Sequence, residues 1–162
     1  MKEFPSIVLI AGLASLGLIV SCFGVVASDL RVAIRGVRSS SGTLMVGLYD
    51  SEGHFRSAIA QAGNLGLVID RSRLVGIAMR AIAGTQSVVF TELRPGAYAV
   101  ITFHDENDDR KLDKNALGLP TEGYGFSNDA EGFLAAPSFK DAAVMLGGHD
   151  RAIAITLRYL RK

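Results

Sequence analysis

The chain has 162 residues, of which 49% are hydrophobic and 20% charged, with a formal net charge of +1, a single cysteine and no tryptophan. Such a near-neutral chain lacks the basic patch or stripe that marks a nucleic-acid partner. One cysteine excludes an intramolecular disulfide framework.

The first 27 residues set the compartment. Lys2 is followed by IVLIAGLASLGLIVSCFGVVA (7–27), and Val25-Val26-Ala27 before Ser28 resembles the small-residue site cut by signal peptidase. This predicts a signal peptide cleaved after Ala27, with export to the periplasm or beyond. Two alternatives rest on the same residues. The run 7–27 is long enough, at about 20 residues, to span a bilayer uncut, and Ile19-Val20-Ser21-Cys22 resembles a lipobox that would place a lipid on Cys22. In each reading residues 28–162 are the folded domain, and the membrane is met only through the N-terminal segment. Removing residues 1–27 takes Lys2 and Glu3 together, so the charge stays at +1 and no cysteine remains. Stability then rests on burial or metal.

Along the domain, Leu30, Val32 and Ile34 alternate with Arg31, Ala33 and Arg35, the period-two pattern of a strand buried on one face. TLMVGLY (43–49) is apolar on both faces and predicts a central strand, joined to the first through Ser39-Ser40-Ser41-Gly42. A short helix is expected over 55–63 (FRSAIAQAG), while 65–69 is undecided. Strands follow at 74–82, 87–90, 97–103, 143–146 and 153–159, with turns at Gly84-Thr85, Arg94-Pro95-Gly96 and Gly147-Gly148. About seven short strands without alternating long helices argue for a single all-β, Ig-like or transthyretin-like antiparallel sandwich. In FTELRPGAY (90–98), proline then glycine suits the centre of a type II turn between antiparallel strands. That pattern resembles the strand-turn-strand of transthyretin-like and collagen-binding B-type sandwiches.

The stretches HDEN (104–107), KLD (111–113), GLPTEGYGFSN (118–128) and PSFKDA (137–142) are similar to the bacterial domain of unknown function 2141 family, over most of residues 29–160. The resemblance implies a small exported β-sandwich and assigns no activity. The chain departs from the family where Asp108 and Arg110 replace glycines of the acidic turn, and in a longer connection between Arg56 and Ala83.

HDENDDRKLD (104–113) carries a calcium-like spacing. Asp105, Asn107 and Asp109 fall at positions one, three and five of an EF-hand-like loop, Lys111 offers its carbonyl at seven, and Asp113 falls at nine. Hard oxygen ligands on alternate residues can turn toward one ion as the chain curls. Arg110 stands at position six, where glycine eases the turn, and Ala116 stands where a bidentate glutamate is expected. Glu122 or a carbonyl of 121–125 is the candidate to complete the shell. The competing reading is a solvated turn capped by its own Asp and Asn side chains.

His104 beside Asp105 and Glu106 suggests a general base, but neighbouring residues of a strand point to opposite faces. No nucleophile elbow, zincin helix or phosphate loop accompanies it. A hydrolase using His104 therefore ranks last. The segment 118–139 is long for a connection and holds Tyr124, Phe126, Phe133 and Phe139, so it is the better functional candidate. Either these aromatics plug one end of the sandwich, or Tyr124, Phe126 and Phe133 form a surface for an envelope protein, a glycan or a lipid. The resulting expectation is a non-enzymatic exported binding or structural module, with calcium in the acidic loop as its candidate cofactor.

Overall fold

The computed structural model describes residues 26–64, 66–67, 75–132 and 135–160. The expected signal or anchor helix, the lipobox cysteine and Phe133 lie outside them.

Among the described residues, eight strands form two sheets. β1 (Ser28–Val37) lies between β4 (Gly84–Leu93) and β8 (Arg151–Thr156), in the order β4-β1-β8. The larger sheet has the order β3-β2-β5-β6, built from β2 (Thr43–Tyr49), β3 (Val75–Arg80), β5 (Gly96–Asp105) and β6 (Gly123–Phe126). A short β7 (Val144–Leu146) pairs with the start of β5. The all-β sandwich expectation holds, with two departures. β8 runs parallel to β1, Val32 facing Ile153, so the sandwich is not wholly antiparallel. β6 is a strand inside what reads as a loop.

The connections also differ from simple hairpins. The Ser39–Gly42 turn carries the chain from one sheet to the other, because β1 and β2 are not neighbours. Gly42 is needed there, since it sits at φ +72° and a Cβ on it would fall 1.9 Å from the Asp105 carbonyl oxygen. The Arg94-Pro95-Gly96 turn likewise changes sheet between β4 and β5. Gly96 is not at positive φ, so the type II turn expected at Pro95-Gly96 is not what forms; the left-handed residue nearby is Glu92 (φ 58°), within the last residues of β4.

Alternation sorts β2 and β5 onto two cores. Leu44, Val46, Leu48 and Val100 face the small sheet and meet Leu30, Val32, Ile34, Phe90 and Ile155. Met45, Tyr49, Ala99, Ile101 and Phe103 face the other way, onto a second apolar layer. This explains why 43–49 is apolar throughout: the larger sheet is covered on both faces. Helix α1 (Glu52–Gln61) supplies the cover, its Ser51 cap accepting from the His54 amide and Glu52 sitting at the positive end of the helix dipole. It buries Phe55 and Ala58 against the sheet. The short α2 (Phe139–Ala142), capped by Ser138, packs beside it.

On β5 the inward side chain of Thr102 is fully buried, and its hydroxyl has no hydrogen-bond partner among the described residues. A buried polar group without a partner costs about 1–3 kcal/mol. Thr102→Val is therefore expected to leave stability unchanged or raise it by about 1 kcal/mol. Loss of more than that in urea melts would show that the hydroxyl has a partner such as a buried water.

Candidate functional site

The acidic turn follows β5 at the end of the sandwich where β1 finishes and β2 begins. Asp105 is fully buried, and its carboxylate accepts the backbone N–H groups of Asp109 (3.2 Å) and Arg110 (2.7 Å). Asn107 Oδ1 accepts from the Asp109 amide at 3.1 Å, and Asp109 Oδ1 from the Lys111 amide at 2.8 Å. Asn107 Nδ2 donates to Asp113 at 3.0 Å. These are the self-capping hydrogen bonds that make Asp and Asn turn residues. Arg110 adopts φ 65° and Asp108 φ 61°, so the left-handed geometry that glycine would ease is taken up by both.

Glu122, one residue before β6, closes this turn. Its side chain is buried and accepts the amides of Glu106 (2.7 Å) and Asp113 (3.0 Å), tying both ends of the turn together. Burial pushes the Glu122 and Asp105 carboxyls above their ordinary range. Glu106 goes the other way: the Arg38 guanidinium grips both of its oxygens and holds its carboxyl below the usual value. Among the described residues no three His, Cys, Asp or Glu side chains stand where they could share one metal ion. Asp105, Asn107, Asp109 and Asp113 are thus gathered in one turn but bonded to its backbone and to each other.

His104 points the opposite way from Asp105, into the sandwich, and is fully buried. Its Nε2 lies 2.8 Å from the Ser41 carbonyl, which only accepts, so Nε2 carries the proton. Nδ1 then accepts from the Tyr159 hydroxyl at 2.9 Å. Both nitrogens are committed and neither faces solvent. His104 thereby pins the C-terminal segment through Tyr159.

The GYGF of β6 resolves into two faces. Gly123 lies under Tyr159, where a Cβ would fall 2.2 Å from a ring carbon, and a Cβ on Gly125 would meet Ile155 at 2.6 Å. The glycines let the C-terminal segment cross closely, and the Tyr124–Arg158 bridge joins the sheets there. Tyr124 and Phe126 point to the outer layer, their rings 6.1 Å apart edge to face. Phe126 and Phe139 pack on Phe55, with centroids 6.0 and 5.9 Å away. They build the second core layer and do not plug the end of the sandwich.

Above Ile101, Phe103, Tyr124 and Phe126 the second layer leaves a cleft of about 480 Å³. Ile59 of α1 and Ala62 just past its end wall one side, Leu112, Leu119 and Pro120 another, and Ala130, Ala136 and Pro137 a third, with Lys114, Asp129, Glu131 and Arg158 also in the lining. This volume lies within the range of roughly 300–1,000 Å³ for small-molecule sites. Sequence reasoning missed the cleft, since its walls come from separate segments and nothing local pointed to α1 as one of them.

Fold and cleft together define a two-sheet β-domain with an apolar cleft on one outer face, walled on one side by the end of α1. Residues 32–154 match the family described as "Uncharacterized protein conserved in bacteria (DUF2141)", and the chain belongs to that family. No curated protein and no solved structure matches it.

Proposed function

We propose that this protein is an exported binding module of the cell envelope, and not an enzyme, which holds an apolar ligand in the cleft beside the end of α1. The observation that carries this reading is the cleft itself, an apolar cavity between β5, β6, α1 and two connecting segments. Export is supported by the apolar run at 7–27. Of the three partner classes expected, a lipid suits an apolar lining best, since a glycan would leave its hydroxyls without partners. The bonded, buried state of His104 favours binding over catalysis.

Binding of the apolar fluorophore N-phenyl-1-naphthylamine tests it. Fluorescence is expected to rise on mixing with the protein. Ala136→Trp, which places a ring in the cleft from an exposed position, is expected to weaken binding about ten-fold, or 1.4 kcal/mol, without lowering the melting temperature. No fluorescence rise, or a rise unaffected by Ala136→Trp, removes the reading.

A second reading is calcium bound by Asp105, Asn107, Asp109, the Lys111 carbonyl and Asp113, for which these oxygens would have to exchange their bonds within the turn for the ion; in its favour, Arg110 already holds the left-handed conformation that position six requires. The ion would act by rigidifying the turn. With a dissociation constant of about 0.1–1 mM, 10 mM calcium is expected to stabilise the protein by roughly 1.5–3 kcal/mol. The gain should grow in Arg110→Gly and vanish in Asp109→Ala. A melting temperature indifferent to calcium in both the natural chain and Arg110→Gly would end it.

A further inference from the structure

The charges around the cleft are unevenly matched. Glu131 pairs with Arg158, which also donates to the Asp129 carbonyl. The Asp129 carboxylate accepts the Thr156 amide at 2.6 Å. Lys114 has no carboxylate partner among the described residues. It stands at the base of a small hairpin closed by the Lys114–Pro120 bridge, in which the Asn115 side chain accepts the amides of Leu117 and Leu119, each at 3.0 Å. That scaffold holds Leu117 outward at 83% exposure and Leu119 at 47%, and Leu119 also lines the cleft. The lining thus carries two carboxylates, Asp129 and Glu131, grouped about Arg158, while the Lys114 ammonium stands without a carboxylate among the described residues, beside exposed leucines where an apolar cavity opens.

From this arrangement we infer that the ligand is a single-chain amphiphile with an anionic head, a long-chain carboxylate, whose tail enters the cleft and whose head meets Lys114. The inference rests on the cleft reading and adds the charge of the head. An apolar tail takes the place of water over Ile101, Phe103 and Tyr124. A carboxylate supplies the counter-charge that Lys114 lacks, and a cationic head would meet repulsion there.

Displacement of bound N-phenyl-1-naphthylamine by three molecules that share one chain and differ in the head tests the inference: dodecanoate, dodecanol and dodecyltrimethylammonium. Dodecanoate is expected to displace the probe at about five-fold lower concentration than dodecanol, the upper end for a solvent-facing ion pair, with the cation weakest. Lys114→Met should bring the acid and the alcohol level, and Lys114→Glu should invert the order of acid and cation. Equal displacement by acid and alcohol in the natural chain, or an order unchanged in Lys114→Glu, overturns the carboxylate while leaving the cleft reading intact. Failure of the probe to bind at all removes both.

Discussion

Phe55→Ala is expected to destabilise the protein by about 3–5 kcal/mol, the range for deleting a buried aromatic ring, and to lower the melting temperature by roughly 10–20 °C. Phe55 is fully buried at the centre of the outer layer, with Tyr49, Phe126 and Phe139 within 6.1 Å of its ring centroid. It and Ala58 are the residues by which α1 is buried against the sheet, and a ten-residue helix has little stability of its own. Removing the ring therefore loosens that wall of the cleft as well as leaving a cavity, so probe binding should fall with stability. Urea melts decide the first part. A cost below 1 kcal/mol would mean that the helix layer does not fold with the two sheets as one unit. Phe55→Leu, which keeps most of the volume, should retain binding at a cost of about 1–2 kcal/mol.

Glu122→Ala is expected to cost about 1–3 kcal/mol at neutral pH, because the part-buried amides of Glu106 and Asp113 lose a charged acceptor. The pH dependence carries the finer signature. Glu122 and Asp105 have carboxyls raised by burial in the folded state. A carboxyl with a raised folded value binds its proton more readily folded than unfolded. Its contribution is fully present below the unfolded value near 4, and it is lost as pH rises through the folded value. Glu106, lowered by Arg38, has the opposite sign: its contribution is present above the unfolded value and lost as pH falls through the folded one. Stability is thus expected to rise as pH drops from 7 toward the upper edge of the carboxylate range, then fall in stronger acid. Glu122→Gln should flatten the rise and leave the acid fall in place. A rise of the same size in Glu122→Gln, measured by urea midpoints between pH 7 and 5, would assign it to other groups.

The strands were legible wherever one face is polar or the pattern is long. The alternation of Leu30, Val32 and Ile34 and the two-faced apolarity of 43–49 both correspond to strands, the second because a helix covers the outer face that an ordinary sandwich leaves wet. Sheet membership was not legible. The turns at 39–42 and 94–96 look local, yet each crosses between sheets, and only the pairing of β1 with β4 and β8 reveals it. β6 was hidden because glycine carries no hydropathy signal on the face where Tyr159 and Ile155 press closest. At the acidic turn, Asp105, Asn107 and Asp109 lie in one tight curl of chain. What spacing cannot show is whether those oxygens turn to an ion or to the chain's own amides. Lys114, Ile59 and Pro137 come from three separate segments, so the cleft had no signature in any one of them.

The course of β1 bears on how the protein would sit if residues 7–27 remain in a bilayer. Ser28 begins the strand beside Leu93, and Val37 ends it beside Gly84, with the acidic turn just past that end through the Arg38–Glu106 pair. Ten residues of strand span about 33 Å, so β1 works as a strut, lifting the Glu122 turn clear of the point of attachment. In a tethered copy the acidic turn would stand at the far end of β1 from the point of attachment.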